Sequence, residues 1–182
     1  MTRTADVIVE VVVLRVDADG RLAYRVAHQQ LGAGAPDSVA LDTAGLTHPL
    51  APVPVPAGTV SHSTSWRYDS GCVVLTYAVV PDPHPHLPVE SLPRVGVVCS
   101  PDPLHPSPAG LHDHHVAAHA VRHLAYLWGT DPTVARAAAT RPQIWQALNE
   151  YATSTTVGDH HHSHQPLPTG DPLTRTPRAV HA

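Results

Sequence analysis

The sequence predicts an α+β protein, in which two β-hairpins and one short strand form a mixed or antiparallel sheet packed against C-terminal helices. Three observations predict this class. Runs of β-branched residues with tight turns recur before residue 80, nine prolines interrupt residues 81–108, and an amphipathic helical pattern follows Gly110. We expect residues 1–154 to form one domain and residues 155–182 to be a disordered, histidine-rich tail.

The first hairpin is predicted over residues 6–30. Residues 6–16, DVIVEVVVLRV, are almost continuously apolar, which is typical of a strand buried on both faces. A turn at Asp17–Gly20 leads into residues 21–30, where apolar side chains alternate with arginine. We therefore expect a central strand paired with a half-exposed one.

The second hairpin follows residues 31–57, whose glycines and prolines predict a loop or an extended edge. In GTVSHSTSWRY, period-two alternation places His62 and Trp66 on one face of a strand. A turn then leads into CVVLTYAVV, which predicts the partner strand. After this hairpin the prolines leave room only for a short strand at residues 94–99, RVGVVC.

The C-terminal part predicts three helices. From His112 to Trp128, the small and aliphatic residues gather on one side of a helical projection and the histidines on the other. Gly129 predicts the end of this helix, and Thr130 or Asp131 caps a second one. Pro142 is expected to begin the third helix.

Charge and composition exclude several classes of partner. The formal net charge is −4 and there is no basic cluster, which argues against nucleic acid and anionic membranes. No segment approaches the roughly 20 apolar residues that span a bilayer. The N-terminal apolar run is broken by Glu10 and lacks a signal-peptide cleavage site, so the cytoplasm is the expected location. Cys72 and Cys99 are expected to be free, buried thiols in strands.

Histidine usage is the most unusual property of the chain, with 16 histidines in 182 residues. Five lie within residues 111–128 and four within residues 159–164. Imidazole is a common metal ligand and titrates near neutral pH, so metal binding, proton transfer or a pH response is indicated. The chain has no lysine and much Ala, Arg and Pro, which is typical of a high-GC bacterial genome. Codon usage is therefore an alternative origin of the histidines.

Four histidines of the first predicted helix form the candidate metal site. His115, His119 and His123 follow one another at intervals of four residues, and His112 lies one turn earlier. Such spacing brings side chains close enough to share one ion, and imidazole favours Zn²⁺, with Ni²⁺ or Cu²⁺ as alternatives. A closed site needs a further ligand, such as His62 or a carboxylate. The alternative interpretation is a solvated polar face.

A second candidate site is a ligand pocket formed by His62, Trp66, Arg67 and Tyr77. A histidine and a tryptophan on one strand face offer hydrogen bonding and stacking, although aromatic residues in strands also simply pack a core. The sequence contains no P-loop, dinucleotide-binding turn, nucleophile elbow or HExxH motif. The catalytic residues, the substrate and the reaction are therefore unassigned.

The two hairpins, the segment HSTSWRYDSGCVVLTYAVV and the helices that follow are similar to the later half of a Nudix-type α/β/α sandwich over residues 5–128. The Nudix box, whose glutamates hold Mg²⁺ on a helix, is missing, because the chain has only Glu10, Glu90 and Glu150. The resemblance implies a degenerate member that binds a ligand or protein, or one that uses histidine ligands instead. No catalytic residue carries over.

Three functions follow as expectations. The first is divalent transition-metal binding by the histidine-bearing helix, with metal-dependent hydrolysis as its catalytic extension. The second is a non-catalytic, Nudix-like module that binds a small molecule or a protein. The third is a domain that associates in response to pH, for example as a homodimer, through its imidazole face.

Overall fold

The computed structural model describes residues 6–46, 55–102, 107–108 and 110–154. The predicted tail, residues 155–182, lies outside this part of the chain. The elements within it are β1 (Asp6–Val16), β2 (Leu22–Gln30), α1 (Pro36–Ala44), β3 (Val60–Asp69), β4 (Cys72–Val80), β5 (Glu90–Ser91), α2 (Asp113–Thr130), α3 (Pro132–Ala138) and α4 (Pro142–Ser154).

The strands form one mixed sheet with the order β3-β4-β1-β2-β5. β1 runs parallel to β4, whereas the other neighbouring pairs are antiparallel. The predicted α+β class and both predicted hairpins are thus confirmed. β1 is central, as its apolar run predicted, and consecutive residues such as Val11, Val12 and Val13 are fully buried. A strand covered on both faces requires apolar side chains at every position.

Helices cover both faces of the sheet. On one face Val9, Val11 and Val13 of β1 pack with α1, and on the other Val12 and Leu14 pack with α2, α3 and α4. Period-two alternation explains this division, because successive side chains of a strand point to opposite faces. The apolar side of α2, predicted from its helical spacing, is buried against the second face.

Helix α1 corrects the prediction that residues 31–57 are only a loop or an extended edge. Pro36 stands at the start of the helix, where its missing N–H is not needed. Gly45 ends it with a φ of 86°, and its N–H donates to the Asp42 carbonyl at 2.9 Å. The helix has only nine residues between glycine- and proline-rich flanks, so its periodicity is weak in the sequence.

The fifth strand also differs from the prediction. It consists of Glu90 and Ser91, paired with β2, whereas residues 94–99 form no strand. Cys99 is consequently exposed, so its expected burial in a strand is wrong. Cys72 begins β4 and is partly buried, and both thiols are free as expected. Within residues 94–99, Val95 packs against the core, whereas Val97 and Val98 are exposed.

The C-terminal helices follow the prediction closely. α2 extends one residue beyond the predicted end, to Thr130. Asp131 caps α3, since its side chain accepts hydrogen bonds from the N–H groups of Thr133 at 2.7 Å and Val134 at 3.2 Å. α4 begins at Pro142 as expected. Of the helices in the described ranges, none combines the length and the apolar character that crossing a membrane requires.

A β-bulge in β3 changes which of its residues face the helices. The pairing of β3 with β4 shifts between Ser63 and Ser65, so the alternation reverses after Thr64. His62 pairs with Ala78 on the face of α2, whereas Trp66 pairs with Leu75, which packs on the face of α1. The expectation that His62 and Trp66 share one strand face is therefore wrong. Ser65, paired with Thr76, and Arg67, paired with Val74, take the α2 face instead.

Arg67 forms a buried ion pair with Glu10 of the central strand. Its Nη1 and Nη2 donate to the two carboxylate oxygens of Glu10, both at 2.7 Å. The Thr76 hydroxyl donates to Oε1 at 2.9 Å, and His28 Nε2 lies 3.1 Å from Oε2. The Glu10 side chain is only 1% exposed, so almost all of its hydration is replaced by these groups.

Burial alone would raise the pKa of the Glu10 carboxyl, but the hydrogen bond and charge of Arg67, helped by Thr76 and His28, hold that pKa below its usual value. The folded-state pKa is thus below the unfolded one. The contribution of Glu10 to stability is present above the unfolded pKa and is lost as the pH falls through the folded value.

Replacing Arg67 by methionine should lower the free energy of unfolding by about 3 kcal/mol or more, because it leaves a buried carboxylate without its counter-charge. Urea denaturation at neutral pH measures this loss. The control is Arg21→Met, which breaks the exposed pair with Asp19 and should leave the urea midpoint unchanged.

The double variant Glu10→Met with Arg67→Met distinguishes the unpaired charge from lost packing. It removes both charges, so it should be more stable than Arg67→Met alone. A double variant that is no more stable than the single one would show that the buried charge is not the cause.

Candidate functional site

A groove of about 720 Å³ lies between the outer end of β3 and helix α2. Its apolar lining consists of Trp66, Tyr68, Val97, Val98, Pro108, Leu111 and Val116. Its polar lining consists of Ser65, Arg67, Ser107, His115, His119 and Arg122. A smaller pocket of about 270 Å³ adjoins it at the first turn of α2, where Asp69 and Asp113 contribute carboxylates. The groove therefore combines apolar walls with a cationic side.

Several large apolar side chains of the groove are exposed to solvent. Trp66 is 68% exposed, Tyr68 58% and Val97 64%. Such residues are ordinarily scattered singly on a protein surface, and their concentration at one concave place is typical of a binding site.

The segment that leads into the groove residues Val97 and Val98 is fixed by α2 and α4. Arg122 Nη2 donates to the Val95 carbonyl, and the Tyr151 hydroxyl donates to the Pro93 carbonyl at 2.7 Å. The guanidinium groups of Arg122 and Arg94 each lie 5.6 Å from the centre of the Tyr151 ring. Residues 93–95 are thereby held against the helices without belonging to a strand.

Arg122 keeps one unused donor. Its Nη1 is buried and has no hydrogen-bond partner. The ion pairs of the described chain do not include Arg122, whereas Arg67 is neutralised by Glu10. A buried guanidinium donor without an acceptor is rare in folded proteins and calls for an explanation.

The first turn of α2 uses a histidine as a cap. The His112 N–H donates to His115 Nδ1 at 3.2 Å, so this nitrogen carries no proton. Burial, with the charges that His114 and His112 would carry, lowers the pKa of His115. The form of His115 that accepts this hydrogen bond carries its proton on Nε2, and the lowered pKa favours that neutral form.

Two further histidines meet between β3 and α2. The rings of His62 and His123 are stacked, with centres 5.2 Å apart and planes inclined by 22°. His123 Nε2 is buried without a hydrogen-bond partner. Burial, together with neighbouring His62 and His119, lowers the pKa of His123.

The four histidines predicted to bind Zn²⁺ are spread along α2. The ring centres of His112 and His115 are 5.6 Å apart, and those of His119 and His123 are 6.5 Å apart. Within the described ranges, no three His, Cys, Asp or Glu side chains are gathered in a way that could hold one ion. Zinc binding by this set stays a prediction.

The four residues of the predicted ligand pocket do not form one site. Trp66 and Arg67 line the groove, whereas His62 is stacked on His123 beside it. Tyr77 lies on the opposite face of the sheet, where its hydroxyl donates to Asp37 at 2.7 Å. Burial and this hydrogen bond raise the pKa of Tyr77 to about 12. Its place in the predicted pocket is wrong.

Sequence reasoning did not select Arg122, Val97 and Val98 for the site. One available signal was spacing, since Arg122 follows His115 by seven residues and so lies on the same side of the helix. No comparable signal in the sequence indicates that Val97 and Val98 line the groove, because residues 94–99 resemble an ordinary strand.

Comparison of the chain with protein-family models, curated proteins and solved structures finds no match. The Nudix resemblance therefore stays a prediction, and the function has to be argued from the groove itself.

The two histidines with lowered pKa should make the fold less stable in mild acid. Their folded-state pKa lies below the unfolded value of about 6.5, so the unfolded chain binds more protons as the pH falls through that value. Between about pH 8 and about pH 5, we expect the Tm of the double variant His115→Gln with His123→Gln to fall less than the Tm of the unaltered chain. The glutamine introduced at position 115 retains a cap acceptor that does not titrate.

Thermal denaturation in the presence of a chelator measures this difference. The control variant is His86→Gln, since His86 is exposed. Its Tm should fall by as much as that of the unaltered chain over the same pH range. Equal losses of Tm in the double variant and the control would contradict the assignment.

Proposed function

We propose that the chain is a ligand-binding module whose groove holds a small organic anion with a planar apolar body. The observation that carries this proposal is the unpartnered Nη1 of Arg122 in a residue that lines an otherwise largely apolar groove. Nη1 itself has almost no accessible surface, so a carboxylate, sulfonate or phosphate in the groove would interact with Arg122 through the charge of its guanidinium group.

Charge favours an anion over a neutral or cationic ligand. None of the residues that line the groove is acidic, and Arg122 has no carboxylate partner among the described residues. His115 and His119 stand on the same wall as Arg122 and can donate further hydrogen bonds. The net charge of the chain is negative, so this positive end is a local feature.

Size and lining favour a ligand with a planar apolar body. A volume of about 720 Å³ lies in the range of pockets that hold small molecules. The exposed Trp66 and Tyr68 line the groove from the edge strand β3 and offer aromatic surface there, although the register places Trp66 on the α1 face. Val97 and Val98 add aliphatic surface to the lining. Burying these exposed side chains under a ligand supplies the apolar part of the binding free energy.

Binding is proposed rather than catalysis. The Ser107 hydroxyl donates to the Tyr68 carbonyl at 3.1 Å, and in the described chain neither serine of the groove is hydrogen-bonded to a histidine. Activation of a serine nucleophile requires such a bond to a base. This favours the non-catalytic alternative among the functions that the sequence predicts.

Two matched probes test the proposal. Anilinonaphthalene sulfonate and its neutral analogue phenylnaphthylamine share one aromatic body and differ by the anionic group. We expect the unaltered chain, in the presence of a chelator, to bind one sulfonate per chain about tenfold more tightly than the neutral probe, because the guanidinium charge of Arg122 attracts the anion. Fluorescence titration measures both dissociation constants.

Arg122→Gln should abolish the preference for the sulfonate over the neutral probe, while loss of the anchor to the Val95 carbonyl should weaken both probes by the same factor. A merely structural role of Arg122 would weaken both probes equally, so the ratio separates the two explanations. The control variant is Arg141→Gln, since Arg141 is exposed and remote from the groove. An unchanged ratio in Arg122→Gln, or the absence of saturable binding to the unaltered chain, would refute the proposal.

A further inference from the structure

We propose that His62 and His123 form the core of a binding site for a divalent transition-metal ion, with His119 as a third imidazole. This site differs from the set predicted from the sequence, because it joins β3 to α2 rather than following one helix. It also goes beyond the proposed ligand groove, which His119 lines and which the other two histidines do not.

The distance between the two ring centres fits a shared ion, and a rotation of the stacked rings about χ2 would turn one nitrogen of each toward it. Imidazoles that ligate a tetrahedral ion at about 2.0–2.1 Å have their ring centres about 5 Å apart. The centres of His62 and His123 are 5.2 Å apart although the rings come from different elements. Two ligands fixed by separate backbone segments are already close together before an ion binds, which lowers the entropy cost of binding.

His123 has an unused nitrogen at this place. Its Nε2 is buried and has no hydrogen-bond partner, which is unfavourable unless water or an ion is bound there.

His119 is positioned to complete the set by a side-chain rotation. Its ring centre is 6.5 Å from that of His123, which is too far for a shared tetrahedral ion, and accordingly no three such ligands already converge among the described residues. His119 is exposed, so its side chain can change rotamer without disturbing the core. An all-imidazole set favours Zn²⁺, Ni²⁺ or Cu²⁺ over Mg²⁺.

The test uses the full chain in which His160, His161, His162 and His164 are replaced by asparagine, because these tail histidines would themselves bind Zn²⁺. Isothermal titration with Zn²⁺, without any organic ligand, should give one equivalent per chain. In this background, His62→Asn with His123→Asn should weaken Zn²⁺ binding by on the order of a hundredfold or more, since even outer-shell changes cost ten- to a hundredfold. His86→Asn is the matched control and should leave binding unchanged.

Two outcomes would overturn the proposal. One is Zn²⁺ binding that survives in the His62 and His123 double variant but is lost in His112→Asn with His115→Gln, which would assign the ion to the first turn of α2. The other is no stoichiometric Zn²⁺ binding once the tail histidines are replaced.

A single variant guards against loss of folding. His62→Asn changes a half-buried residue on an edge strand and should keep the circular dichroism of the parent. Zn²⁺ should raise the Tm of the parent and not that of His62→Asn. An equal Zn²⁺-dependent rise in both would likewise overturn the proposal. The groove experiments contain a chelator, so the two proposals fail independently.

Discussion

The buried pair of Glu10 and Arg67 is the interaction on which the outer half of the sheet depends. Glu10 stands on the central strand, and its charge would be strongly unfavourable there without a counter-charge. The bulge in β3 turns Arg67 toward it, and Thr76 on the intervening strand satisfies a carboxylate oxygen. The bulge therefore has two consequences. It positions Arg67 to neutralise Glu10, and it determines which β3 residues face α2.

Helix α2 divides its surface between two tasks. Its small and aliphatic residues pack on the sheet, while the opposite side holds the histidines and Arg122. Arg122 also anchors the segment around Val95 through one nitrogen, so the helix both lines the groove and fixes the segment that leads into Val97 and Val98. An arginine that is tied at one nitrogen and unpaired at another is held in place before a ligand arrives, which reduces the ordering cost of binding.

The sequence predicted what depends on local periodicity and missed what depends on pairing between distant segments. Both hairpins, the amphipathic α2 and the start of α4 at Pro142 follow from residue patterns within each element. The bulge at Thr64 adds one residue that alternation does not reveal, and it invalidated the shared face of His62 and Trp66. The parallel pairing of β1 with β4 places Tyr77 with the α1 layer, on the face opposite the groove, and nothing local to Tyr77 encodes it.

The groove and the histidine pair are adjacent, and charge couples them if both proposals hold. Arg122 brings to the groove a positive charge that no carboxylate of the described residues balances, whereas Arg67 is paired with Glu10. An ion held by His62 and His123 would add charge next to His119, which lines the groove. Such an ion would strengthen the binding of an anion, and the anion would strengthen the binding of the ion by the same factor, because linkage between two sites is reciprocal.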